Sequence, residues 1–474
     1  MCARCGYFIM FATFALAFSS PTLAQFETRG TSPVLTEPYS IAIGDFNHDG
    51  KLDMAVASVY NGITQVSVLL GNGDGSFKPA TYYSAGSSPD SIVAADFNKD
   101  GNLDLAVGDS VGSSNIAILL GNGDGTFQAP KFFSVPYAPT YVAVGDFNND
   151  HKLDLVVTDK QYVSVLLGNG DGTFQAAINT KPSYDPLALG VGNFNSDGNL
   201  DVVVGQVSLG VTQVQVLLGN GDGTFGLGQA FPVGDGPSSI AVGDFRRIGR
   251  QDLAVACSSA TGVDVLLGNG DGTFKPAVTY PDPSAFWVVI SDLNGDGKLD
   301  LAVANFNLTQ HYPSAAVSTL LGNGDGTFQP AILYPAGKID TFVGVGDFNS
   351  DEKNDLAVVD EYSNDVVVLL NTGVVTFSPT TPLNFKKVTV GTTSPPQTVT
   401  LTNTGKSALA ISAMKAAGQF GMTSTCGTSV APGANCAINV TFSPQTKGPK
   451  SGTVTIRDSA SSKPQVIELS GTGT

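Results

Sequence analysis

Oxygen-bearing side chains recur at alternate positions of a nine-residue segment seven times along this 474-residue chain, at intervals of 47 to 55 residues. The first copy is D-F-N-H-D-G-K-L-D. Asp45, Asn47, Asp49 and Asp53 offer side-chain oxygens at positions 1, 3, 5 and 9, and Lys51 a main-chain carbonyl at position 7. Hard oxygen donors in that number suit calcium; magnesium asks for a tighter octahedron that keeps several waters. Gly50 permits the turn. Position 12 is Val56, where a helical calcium loop needs a bidentate Glu, so only the opening of that motif is shared.

The same donors recur in five further copies. They are Asp96, Asn98, Asp100, Asn102 and Asp104; Asp146, Asn148, Asp150, Lys152 and Asp154; and Asn193, Asn195, Asp197, Asn199 and Asp201. The last two sets are Asp292, Asn294, Asp296, Lys298 and Asp300, and Asp347, Asn349, Asp351, Lys353 and Asp355. His151 and Glu352 stand where glycine is expected, which strains the backbone there. The remaining copy, D-F-R-R-I-G-R-Q-D from Asp244, has Arg246 and Ile248 in two ligand positions. It is expected to be metal-free, with Arg246 or a neighbouring Arg pairing Asp244 and Asp252, so five or six calcium ions are expected in all. Carboxylates this close repel one another without a cation, so the ion's role is structural, joining the strands on either side of the loop.

The net charge is −17, and nineteen of the 41 acidic residues are Asp in these loops. The acidity is therefore local, and bound cations would cancel much of it. Its sign disfavours nucleic acid and anionic membrane as partners.

The loops need rigid supports, and a second motif supplies their rhythm. L-L-G-N-G-D-G-S-F at Leu69–Phe77 recurs in phase, from its closing Phe to the next loop in 19 residues, once 18; from loop to Phe the distance varies from 28 to 36. Asn-Gly and Asp-Gly steps accept positive φ and close hairpins. Each unit holds four strand candidates: one like Ile41–Gly44 before the loop, a continuous apolar run like Leu103–Val107 after it, one ending at Leu-Leu, and one starting at the Phe. No segment has a helical period. The fold expected is all-β, a seven-bladed β-propeller followed by an immunoglobulin-like β-sandwich. Phe26 precedes Asp45 by 19 residues, so Phe26–Leu35 should complete the seventh unit and remove exposed sheet edges.

Residues 1–25 read as a secretory signal, with Arg4, the apolar run Tyr7–Phe18 and a small-residue cleavage site at Thr22-Leu23-Ala24. The expected domains are that signal, residues 26–373 and residues 374–474, with no membrane insertion once the signal is removed. In an oxidising compartment Cys426 and Cys436 can pair. Beyond Gly373, short alternating strands such as Gln397–Leu401 and Ala437–Phe442 fit a small β-sandwich.

The motif D-x-N-x-D-G-x-x-D-L followed by an apolar strand resembles the FG-GAP/VCBS repeat, over roughly residues 26–373. The resemblance implies a calcium-binding seven-bladed propeller, as in integrin α chains and many bacterial secreted proteins. The tail segments L-N-F-K-K-V-T-V-G, V-T-L-T-N-T-G and L-S-G-T-G-T resemble the ASPM/SPD-2/Hydin-like (choice-of-anchor D) domain, departing from it at Lys386, where Gly is usual; that implies an adhesion or spacer module.

Metal loops and glycine turns should share one end of the molecule and the variable connections the other. Tyr39, Tyr141, Trp287 and Phe342 near the inner strands, and Tyr312 in the longest connection, form a candidate ligand face for sugar or peptide, or else pack between units. No catalytic residue or organic cofactor is expected. The expected function is a secreted or cell-surface calcium-binding module for adhesion or protein binding, its partner an extracellular protein or glycan. Lectin-like carbohydrate binding comes second, and polysaccharide lyase or hydrolase activity third.

Overall fold

The computed structural model describes residues 26–58, 65–109, 114–208, 210–259, 262–282, 284–306, 316–371, 375–379, 383–403, 408–458 and 464–474. The expected signal segment and Tyr312 lie outside the described residues. Among those described the chain is all strand and turn. No helix among them is long and apolar enough to cross a membrane.

Seven four-stranded antiparallel sheets follow one another from residue 26 to residue 371. In the first, the strands are Pro38–Gly44, Asp53–Ser58, Gln65–Leu69 and Thr81–Ser84, paired in sequence order. We call these positions A to D. The B strands, such as Asp53–Ser58, Asp104–Asp109 and Asp300–Asn305, are buried along their whole length, as an unbroken apolar run requires. The D strands are largely exposed, and in the first, second and fifth sheets they are only four residues long.

The seventh sheet is assembled differently. Its A, B and C strands are Asp340–Gly346, Asp355–Asp360 and Asp365–Asn371, and its D strand is Phe26–Pro33. Phe26 pairs with Asn371 and Pro33 with Asp365. The 19-residue phase from Phe26 to Asp45 predicts this pairing.

Contacts between sheets run in cyclic order. Each A strand packs on the A strand of the next sheet, and Asp340–Gly346 of the seventh packs on Pro38–Gly44 of the first. The seams carry apolar clusters drawn from two sheets at a time. One joins Ala55, Val66 and Val68 to Leu105, Val107 and Leu119; another joins Met54 and Val56 to Ala357, Val359 and Val368. Small residues let the A strands approach: a Cβ on Gly44 would lie 2.4 Å from the Leu103 side chain of the second sheet.

Beyond residue 375 the order changes. A four-stranded sheet and a five-stranded sheet share one core of Val399, Leu401, Ile438, Phe442, Val454 and Ile456. Leu383–Val388 pairs parallel with Gln465–Gly473 in the five-stranded sheet. Cys426 and Cys436 are disulfide-bonded, while Cys257 is a buried free thiol whose titration burial pushes up to about 12. Lys386 adopts φ 53°, with its amide held by Asn384 Oδ1 at 2.8 Å. That left-handed conformation explains why glycine suits the position.

Candidate metal centre

Each acidic segment joins the A strand to the B strand of its sheet, and its ninth residue anchors it. Asp53 is wholly buried; Oδ2 accepts the Phe46 amide at 2.9 Å and Oδ1 the Gly71 amide at 2.7 Å. The same pair of bonds recurs at Asp104, Asp154, Asp201, Asp252, Asp300 and Asp355. One carboxylate thereby ties the end of A, the start of B and the turn after C. Burial raises the pKa of Asp104 to about 6 and those of Asp300 and Asp355 to about 7, against the pull of the two amides, and the carboxylates at positions 5 and 1 raise them further.

The other donors are turned onto the loop's own amides. Asp45 accepts the amides of Asp49 and Gly50 at 3.2 and 2.8 Å, Asn47 accepts that of Asp49 at 2.9 Å, and Asp49 that of Lys51 at 3.0 Å. Side chains at position 7 or 3 also reach the position-5 acid: Lys152 to Asp150, Lys298 to Asp296 and Lys353 to Asp351, each at 3.1 Å, and Asn98 to Asp100 at 3.0 Å. Among the described residues no three His, Cys, Asp or Glu side chains form a cluster that could hold an ion on their own.

The donor set still suits a hard cation. Its members are all oxygens, each carboxylate oxygen keeps a lone pair beyond the one bonded, and burial first, then the neighbouring carboxylates, raise the position-9 acid. In the fourth loop Asn193 Oδ1 is buried with no hydrogen-bond partner, an acceptor that a cation would satisfy. To close on an ion, positions 1 and 5 must turn from amides to the cation.

The fifth loop is different. Arg246 Nη2 lies 2.6 Å from Asp252 Oδ1 and 2.5 Å from the Gly268 carbonyl, and its Nε 3.2 Å from Asp252 Oδ2. Its guanidinium supplies the loop's positive charge. Asp244 is not part of the pair, contrary to expectation; it accepts the amides of Ile248 and Gly249, as Asp45, Asp96, Asp146 and Asp347 accept the corresponding amides of their loops. Arg246→Ala strands a buried carboxylate and is expected to cost about 3 kcal/mol, read as a lower urea midpoint. Adding Asp252→Asn should restore part of it; no recovery would show that the pair is not the cause.

Two further features position the loops, and a third shapes the far ends of the A strands; none was apparent in the sequence. His151 and Glu352 have φ 62° and 66°, as the missing glycines predict, but the fourth position is left-handed too, at His48, Lys99, Asn149, Ser196, Arg247 and Ser350. From there His48 reaches Asn102, Lys99 the His151 carbonyl and Asn149 the Asn199 side chain, each in the next loop. Second, the Phe at loop position 2 is bonded to the next sheet. Gly125 donates to the Phe46 carbonyl, Gly172 to Phe97, Gly223 to Phe147 and Gly272 to Phe194, and Gly75 of the first sheet donates to Phe348 of the seventh at 2.9 Å. Their rings meet edge-on, as Phe46 and Phe127 do at 5.5 Å and Phe348 and Phe77 at 5.8 Å. Third, a bulge at the start of six A strands skips one residue: Tyr39, Asp90, Leu187, Ser238, Phe286 or Thr341. Bulges re-aim side chains.

The aromatic candidates meet at that end of the A strands. Trp287 stacks on Phe342 at 4.0 Å and on Tyr141 at 5.6 Å, although Tyr141 belongs to the third sheet and Trp287 to the sixth. Tyr141 donates to the Ser238 carbonyl at 2.9 Å, and Tyr39 packs edge-on against Phe286. Burial, then the Asp90 charge, holds the Tyr39 phenol above its ordinary range. The acids ending the B strands cap loops: Asp360 accepts the amides of Lys338, Ile339, Tyr362 and Ser363, and Asp159 those of Gln161 and Tyr162.

Six overlapping segments, residues 45–107, 99–157, 146–204, 193–255, 248–303 and 292–358, match the FG-GAP-like repeat. Residues 372–466 match the abnormal spindle-like microcephaly-associated, ASPM-SPD-2-Hydin family. No curated protein matches the chain. Among solved structures it is similar to the crystal structure of the V. cholerae biofilm matrix protein Bap1, with a TM-score of 0.43 and 12% sequence identity over 73% of this chain and 91% of that one.

Proposed function

Since this chain belongs to the FG-GAP-like repeat family, we propose that it is a secreted adhesion or protein-binding module built as a seven-bladed propeller with an immunoglobulin-like sandwich behind it. The cyclic order of sheet contacts and the pairing of Phe26–Pro33 with Asp365–Asn371 support the propeller; the shared core of the two tail sheets supports the sandwich. Calcium is the cation we assign to the acidic loops except the fifth. Positions 1, 3, 5, 7 and 9 would hold it, and its charge would offset the carboxylates that burial and repulsion now disfavour. The disulfide supports an extracellular setting, and weak calcium sites of the proposed class would fill at the levels found outside cells.

One observation favours protein binding over sugar binding or catalysis: the rings and acids that could serve a sugar are engaged within the protein. Trp287 stacks on two neighbouring rings, and Asp159 and Asp360 hold loop amides. The partner surface we assign is the end of the sheets where the described D–A connections lie. The test is a binding screen of the mature chain against arrays of extracellular proteins and glycans, with calcium and with chelator. We expect saturable protein binding that weakens when calcium is removed. Binding confined to glycans, or turnover of a polysaccharide, would replace this reading with the second or third.

A further inference from the structure

Three carboxylates stand in one cross-strand row at the end of the seventh sheet away from its acidic loop. Asp340 is directly opposite Asp360, and Asp360 directly opposite Asp365. Such partners share a face with Cβ atoms about 4.5–5.5 Å apart, and like charges there destabilise the pair. The same row elsewhere begins with Pro38, Pro89, Pro186, Pro237 or Ala285. In the seventh sheet alone does an acid take that place and face another acid.

The row is also buried. Asp340 is 0% exposed and Asp360 2%. Asp360 is satisfied by its four loop amides. Asp340 is not: Oδ1 accepts the Gly337 amide at 3.0 Å, but Oδ2 is buried with no partner, as is Oδ1 of Asp365. The charged groups around the row are mostly of the same sign. Glu361 and Glu37 repel each other beside Asp360, and Tyr39 lies on the neighbouring A strand. The Lys338 ammonium lies over the Tyr362 ring, 4.5 Å from its centre. Its charge and a hydrogen bond from Thr31 of the closing strand favour ionised Asp365, so the titrating member is Asp340. Among the described residues no cation is within ion-pair distance of Asp340. A buried oxygen in this setting favours the protonated acid, which can also donate a hydrogen bond.

The row ends at the seam between the two ends of the repeat array, because Asp365 pairs with Pro33 of the strand that completes the sheet. We propose that Asp340, set in a row with Asp360 and Asp365, is a proton-operated latch: with Asp340 protonated the row holds Phe26–Pro33 in the closing sheet, and with Asp340 ionised the adjacent like charges loosen that strand. Burial first, and then the Asp360 charge, push Asp340 up to about 8, far above an unfolded Asp near about 3.9. A folded pKa that is raised gives stability that is complete below the unfolded value and lost as pH rises through the folded one. The latch therefore holds in acid and slackens between about pH 4 and about pH 8. This is the reverse of ordinary acid denaturation.

The test uses the mature chain in saturating calcium, so that the acidic loops stay ionised throughout. Amide protection across Phe26–Pro33, corrected for intrinsic exchange, should fall at least several-fold from mildly acidic pH to about pH 8, while that of Lys131–Ser134, the D strand of the second sheet, stays level. Asp340→Asn should abolish the difference and raise the melting temperature at the alkaline end by several degrees. Wild-type protection that does not change with pH, or an Asp340→Asn protein with the wild-type pH response, overturns the latch. If Asp340→Asn fails to fold, Asp365→Asn decides: it removes one repelling charge and should move the transition to lower pH, and an unmoved midpoint overturns the proposal.

Discussion

Removing calcium should lower the melting temperature of the chain by about 5–15 °C. Extracellular oxygen-ligand sites bind at roughly 0.1–1 mM, so at ~2 mM calcium each filled loop adds about 0.6–1.8 kcal/mol through mass action. Six loops that unfold together sum these terms. The effect should also depend on pH. Burial raises Asp300 and Asp355 to about 7 and Asp104 to about 6. In chelator the stability they contribute as protonated acids is present in acid and fades as pH rises through those values. Calcium needs the ionised form, so the calcium-dependent increment should grow from acid to neutral pH and level off above it. Calorimetry with and without chelator measures both. Identical melting in the two conditions would leave the loops as metal-free turns and remove calcium from the proposed function.

Replacing a position-9 aspartate should have the largest effect of any single loop substitution. Asp104→Ala leaves the amides of Phe97 and Gly121 buried and unbonded, at about 1–3 kcal/mol for each, so a loss of about 4 kcal/mol is expected in chemical denaturation. The loss should persist in chelator, because these bonds do not depend on an ion. Asp100→Ala, at an exposed acid of the same loop, should be nearly neutral in chelator and cost stability only with calcium present. If both substitutions behave alike in chelator, position 9 is not the anchor.

Much of the fold could be read directly because the units repeat in phase. Seven copies of one loop and six of one turn fix the number of sheets, and a step from Phe to loop of 19 residues, once 18, places Phe26 beside the seventh. The continuous apolar runs mark the B strands because burial on both faces leaves no polar alternation. The links between sheets were less legible. The bond from Gly125 to the Phe46 carbonyl depends on which sheets are neighbours, and no spacing within one unit encodes it. The left-handed fourth position was hidden because His48, Lys99 and Asn149 are not glycines, and their side chains gain partners in the next loop that offset the strain. The pairing of Arg246 was readable as a substitution of ligand by cation. Its choice of Asp252 over Asp244 was not, since it depends on Asp244 being held by the loop's amides.

The strand Asp365–Asn371 lies between Phe26–Pro33 and Asp355–Asp360, and the tail domain follows it in sequence. Tension applied through that domain would therefore enter along the axis of a strand clamped on both edges. Its bonds would be loaded in shear and would have to break together, whereas an edge strand peels one bond at a time. An attachment that must resist flow is best served by such an arrangement, and single-molecule pulling from the tail should meet its highest rupture force at this strand.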